Sequence, residues 1–142
     1  MSIRYSSGFT LIELIAVMII TGILAVTVSV RFSATDIDLQ SAKSDVLAAL
    51  VFSRQTAMAR SDGNTNVVLV LTANTIDVQI NSNSASSLSQ AYPLTLPTSV
   101  SISNGVGSLA FNTLGETNSH TIVLSQGGLS ETINVSGVGY AY

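Results

Sequence analysis

Phe9-Thr-Leu-Ile-Glu-Leu-Ile-Ala-Val-Met-Ile-Ile-Thr-Gly-Ile-Leu-Ala-Val-Thr-Val-Ser-Val30 holds 16 apolar residues in 22. Wound as an α-helix, such a run rises about 33 Å, which matches a bilayer hydrocarbon core of about 30 Å. A secretory signal peptide has a shorter apolar stretch, about 7–15 residues, followed by a small-x-small cleavage site. Here the run is longer and no Ala-x-Ala follows. The segment reads as a membrane-spanning helix that stays on the protein. Arg4 precedes it and Arg31 follows, so loop charge orients it only weakly. One residue does not suit a plain anchor. Glu13 lies near the start of the run, where an ionised carboxylate in lipid costs a few kcal/mol. It can snorkel to the head groups from the helix end, or await a positive partner inside an assembly.

Outside this run the composition is ordinary in apolar content and unusual in charge. The whole chain of 142 residues is 46% apolar and 9% charged, with a formal net charge of -3. Soluble proteins average about 25% charged residues. Residues 61–142 explain much of the deficit. They hold 32 Ser, Thr or Asn in 82, only four acids (Asp62, Asp77, Glu116 and Glu131), and no Lys or Arg. The high hydropathy and the low charge therefore have separate origins in the chain.

Beyond Val30 a second helical pattern follows. Leu39, Ala42, Val46, Ala49, Leu50, Ser53 and Ala57 repeat at the spacing of one buried stripe, with Asp36, Asp38, Lys43, Asp45, Arg54 and Arg60 between them. Asp62-Gly63-Asn64 is a stop signal. This predicts one long helix, with a possible break near 33–38, whose second half packs on a domain. Strand-like runs come next: residues 67–71, an alternating 76–80 after an Ala73-Asn74 turn, then 100–102 and 109–111. Residues 122–124 and 133–135 flank Gln126-Gly127-Gly128, a hairpin signal. Residues 81–91 are low in complexity and read as a mobile surface loop. Pro93 and Pro97 bracket a short extended segment.

Gly8-Phe9-Thr10-Leu11-Ile12-Glu13-Leu14 resembles the class III signal of type IV prepilins and type II secretion pseudopilins. Their pattern is a short, positively charged polar leader ending in glycine, then Phe-Thr-Leu-Ile-Glu and a long apolar run. The resemblance implies that a membrane-embedded prepilin peptidase cuts between Gly8 and Phe9 and N-methylates the new Phe9 terminus. It implies that Glu13 neutralises the Phe9 amine of a neighbouring subunit in a filament. It also implies an α+β, type IV pilin-like fold: a long N-terminal helix, transmembrane in its first half, packed on an antiparallel β-sheet domain. In that scheme 1–8 is the leader, 9–30 the transmembrane and filament-core helix, 31–60 its amphipathic continuation, and 61–142 a periplasmic β-rich domain. The chain would sit in the bacterial inner membrane with its N-terminus cytoplasmic, or enter a pilus or pseudopilus. Its partners would be other pilin or pseudopilin subunits and the prepilin peptidase.

Toward the C-terminus, residues 109–115, 121–125 and 131–140 resemble the GspH/FimT-type minor pilin domain, and Arg54 followed by Ala57 echoes its helix. Minor pilins of the mannose-sensitive haemagglutinin pilus are a cousin group. The tip subunit of pseudopilin complexes tends to lack the glutamate, so Glu13 implies a place below the tip.

Catalytic chemistry is poorly supplied. Cysteine is absent and His120 is the one histidine, in an Asn-Ser-His-Thr context that reads as an exposed loop. There is no Ser-His-Asp set, phosphate loop or metal-ligand cluster, so no enzyme, cofactor or metal is expected. Two alternatives to a filament subunit follow from the resemblance and the anchor: a FimT-like DNA-uptake receptor, or a membrane-anchored adhesin. Phosphate neutralisation needs Lys and Arg. Lys43, Arg54 and Arg60 are what the helix could offer, which makes DNA an unlikely ligand.

Overall fold

The computed structural model describes residues 9–29, 34–60, 64–89 and 91–142. Among them the chain divides into two units, one holding the first helix and the other everything from residue 34 onward. Helix α1 runs Leu11–Ser29 and helix α2 runs Ala34–Ala59. Of the helix expected through 9–60 these two segments are described, and α2 is continuous from Ala34, so the expected break does not fall within 34–38. Residues 30–33 lie outside the described residues, as do Asp62 and Gly63 of the expected stop signal.

The second unit is built on α2. Every position of its predicted stripe is buried, from Leu39 to Ala57. Ala42, Ala49, Ser53 and Ala57 are small enough to bring the helix backbone close to the strands, while Leu39, Val46 and Leu50 fill the space between. Ser53 is fully buried without an orphaned hydroxyl, because its Oγ donates to the Ala49 carbonyl at 2.7 Å.

The described residues form eight strands: β1 Val67–Leu71, β2 Thr75–Ile80, β3 Asn83–Ser84, β4 Leu94–Thr95, β5 Ser101–Asn104, β6 Gly107–Phe111, β7 His120–Gln126 and β8 Leu129–Val135. Their pairings are antiparallel. They make two sheets rather than one. The first has the order β3-β2-β1-β6, with β4 also paired to β2; the second has the order β5-β7-β8. Strand β1 is apolar at all five positions because it lies between β2 and β6, with Val67, Leu69 and Leu71 turned into the core. In β2, Ile76 and Val78 are buried. Leu71 pairs with Ile76 across the expected turn, where the Thr72 N–H donates to the Thr75 carbonyl at 2.9 Å. Strands β7 and β8 close around Gly127-Gly128, with Gln126 opposite Leu129. Their Ile122, Leu124, Ile133 and Val135 join one apolar cluster with the α2 stripe and the inner face of the first sheet.

Two local expectations change. The stretch read as a mobile loop carries structure: β3 pairs with β2, and a 3₁₀ turn at Ala85–Ser87 buries Ala85. The Ser84 hydroxyl donates to Asp77 Oδ1 at 2.7 Å, which ties this stretch to β2. Low complexity hid a turn whose polar side chains bond locally instead of marking a face. Just beyond it, the Tyr92 ring stacks on Phe52 of α2 with centroids 5.3 Å apart. His120, read as an exposed loop residue, is instead the first residue of β7, half-buried, with Nε2 2.9 Å from the Gly105 carbonyl.

Candidate assembly and processing site

The residues that carry the sequence signature lie at the start of α1. Thr10 stands before the helix and Glu13 lies in its first turn. The Glu13 N–H donates to Thr10 Oγ1 at 3.3 Å, and the Thr10 N–H donates back to Glu13 Oε2 at 3.4 Å. The Thr10 hydroxyl also lies 3.5 Å from Oε2. This is a capping box: side chains of a Thr-x-x-Glu pattern satisfy two N–H groups that a helix start leaves unpaired. A carboxylate there also suits the positive end of the helix dipole. Sequence reading treated Glu13 only as a charge in an apolar run, although Thr10-x-x-Glu13 was the visible signal for the cap. All three bonds are long for their type, so the carboxylate remains available to a stronger, ionic partner. Phe9, next to the cap, is 83% exposed. Gly8, the other expected processing residue, lies outside the described residues.

From Leu11 to Leu24, α1 is exposed on every side. Leu11 is 78% exposed, Met18 67% and Ile23 61%, so no polar face alternates with an apolar one. A helix apolar all round needs an apolar surrounding. The Thr21 hydroxyl is satisfied within it, donating to the carbonyl of Val17 at 2.7 Å. The membrane crossing expected of residues 9–30 is not confirmed, since among the described residues no helix is long and apolar enough to cross a membrane.

Two of the three cations that could have served DNA, Lys43 and Arg54, are engaged within the second unit. Lys43 Nζ lies 2.6 Å from Glu131 Oε2, an ion pair joining α2 to β8. The Arg54 guanidinium sits 4.2 Å from the centre of the Tyr140 ring. Two loops close over the Arg54 stem. A Cβ on Gly139, whose φ is +77°, would lie 2.0 Å from the Gly115 carbonyl oxygen and 3.3 Å from Arg54 Cδ. Glycine is required there by the close approach as well as by the backbone angle.

The described residues contain no group of three or more His, Cys, Asp or Glu side chains that could hold a metal ion. An open cleft of about 550 Å³ is lined by Asn66, Asn112, Glu116, Thr117 and Asn118. Its single carboxylate accepts a hydrogen bond from Asn112 Nδ2 at 2.8 Å, with no second acid or base beside it. Acid–base or nucleophilic catalysis needs such a partner within hydrogen-bond reach.

Comparison with known families agrees with the geometry at α1. Residues 3–29 match the family model described as the prokaryotic N-terminal methylation motif. The chain thus carries the signature of type IV pilins and pseudopilins, and its helix followed by an antiparallel β-sheet domain is an α+β fold like theirs. No curated protein and no solved structure matches the chain.

Proposed function

We propose that the chain is a structural subunit, a minor pilin or pseudopilin of the GspH/FimT type, that prepilin peptidase processes between Gly8 and Phe9. The observation that carries this reading is the coincidence of the methylation motif at residues 3–29 with a helix apolar on all its exposed faces. Cleavage would create an α-amine on Phe9, and methylation keeps it charged. In this reading residues 9–30 are held in the inner membrane before assembly and in the filament core after it, and residues 61–142 lie in the periplasm. Glu13 then exchanges its weak cap to Thr10 for the Phe9 amine of a neighbouring subunit. Two charges that are each costly in an apolar core are tolerable together, which favours one axial register. Engagement of Lys43 by Glu131 and of Arg54 by Tyr140 supports a structural role over DNA capture.

Mass spectrometry of the chain purified from its host tests the processing step: loss of residues 1–8 and one added methyl on Phe9 are expected, and an intact leader would overturn it. Glu13→Ala should leave cleavage intact and abolish or strongly reduce recovery of the subunit in sheared filaments or in cross-linked subunit complexes. Co-assembly at the wild-type level would refute the role given to Glu13.

A further inference from the structure

The chain's Asn-Gly dipeptide falls where it crosses from one sheet to the other. Strand β5 ends at Asn104 in the second sheet and β6 begins at Gly107 in the first, so residues 105 and 106 make the crossing. Pairing with β7 is irregular there. Ile102 opposes Leu124 and Asn104 opposes Val123, which leaves Ser103 as an extra residue. Asn104 is exposed. The Gly105 N–H donates to Asn104 Oδ1 at 2.9 Å. That bond holds the side-chain amide beside the peptide that follows it, with its oxygen at hydrogen-bond distance from the Gly105 nitrogen. Since the hydrogen goes to the side chain and not to a strand, no ladder bond has to break for the nitrogen to react.

The fold also requires glycine at this position. Gly105 has a φ of +84°, and a Cβ there would lie 2.3 Å from the Thr121 carbonyl oxygen and 2.8 Å from Ile122 Cα. Any other residue would carry a β-carbon that hinders attack, and the backbone of β7 leaves no room for one. The next carbonyl, that of Gly105 itself, is held by His120 Nε2 at 2.9 Å. The reactive dipeptide is thus retained by packing.

We propose that Asn104 is a site of spontaneous modification, deamidating through a succinimide closed by the Gly105 nitrogen. The nitrogen gives its proton to solvent and bonds to Cγ. The Cγ–Nδ2 bond then breaks, and ammonia leaves with a proton returned from water. Water opens the ring at either carbonyl: attack at Cγ yields aspartate, and attack at the backbone carbonyl yields isoaspartate, with no change of oxidation state. Either product adds one negative charge to a chain that formally carries -3. Isoaspartate also inserts a methylene into the backbone at a crossing with no slack, because Gly105 is packed on β7 and tied to His120. It therefore displaces the His120–Gly105 bond and disturbs the pairing of β5 with β7 as the protein ages.

The test is a timed incubation of the full chain in detergent at neutral and mildly alkaline pH, with peptide mapping and isoaspartyl methyltransferase labelling. Acid should accumulate at position 104 as both products, faster at the higher pH. Asn81, Asn83 and Asn118, each followed by serine, should remain largely amide. Asn104→Gln, which needs a larger ring, should remove the signal. Three results would overturn the proposal: an Asn104 that stays amide while a urea-denatured sample converts, aspartate forming without isoaspartate, or an undiminished signal in the glutamine variant.

Discussion

Replacing Gly139 by alanine should destabilise the second unit far more than replacing Gly128, although both glycines have a similar backbone angle. Gly139 has a φ of +77° and Gly128 a φ of +88°. An L-residue in that region costs about 1–2 kcal/mol. At Gly128 nothing lies within 4 Å of an added Cβ, so the conformational cost is the whole effect. At Gly139 the same Cβ would lie 2.0 Å from a backbone oxygen, that of Gly115, which is itself pressed against the Arg54 stem. Neither loop can yield without moving the other or displacing Arg54 from the Tyr140 ring. Overpacking of this kind costs about 1–3 kcal/mol more. The sum is about 2–5 kcal/mol for Gly139→Ala against about 1–2 for Gly128→Ala. For a unit of this size each kcal/mol lowers the melting temperature by about 4–8 °C. Thermal unfolding of the full chain in detergent, followed by near-UV circular dichroism, reads both shifts. The tyrosine signal should also fall in the folded Gly139 variant as Tyr140 loses Arg54. Equal shifts in the two variants would refute the close approach of the 112–116 and 136–140 loops.

The Lys43–Glu131 pair has side chains 25% and 37% exposed, so a double-mutant cycle with alanine should find a coupling of about 0.5–1 kcal/mol that fades with added salt. A salt-independent coupling would mean that packing, not charge, joins α2 to β8. Burial holds the Tyr92 hydroxyl above its ordinary pKa near 10, and the Asp45 carboxylate adds to the effect. The folded state therefore retains this proton longer than the unfolded chain. The stabilisation is complete below about pH 10 and is lost as the pH rises through the higher folded value. Tyr92→Phe should flatten the alkaline limb of the stability curve, and an unchanged limb would contradict the burial of the hydroxyl.

Periodicity carried most of the fold. The α2 stripe was readable because a helix against a core repeats its small and apolar residues every three or four positions, and all seven proposed positions are buried. Strands β1, β2, β7 and β8 were readable because apolar runs ended at Ala73-Asn74 or Gly127-Gly128. What escaped were features made by distant partners or by short polar bonds. Residues 83–87 are neutral Ser, Asn and Ala, with no pattern to separate a paired strand from a loop. His120 looked solitary because its partner, the Gly105 carbonyl, is supplied by a backbone crossing. At α1 the reverse holds: Thr10 and Glu13 are three residues apart, and their cap was legible in the sequence once read as geometry and not only as charge.

By itself the sequence determined that the N-terminal methylation motif leads into an apolar helix, and that a β-rich body poor in charge and without Lys or Arg follows. Those are properties of local composition and period, which one stretch of chain expresses without reference to another. Tertiary structure alone decided that the strands divide into two sheets, that Lys43 and Arg54 are engaged inside the body, and that glycine is required at 105 and 139. Each of these depends on which backbone comes to lie against which across many residues, and two glycines with equal conformational freedom differ only in what the fold brings within reach of the missing β-carbon.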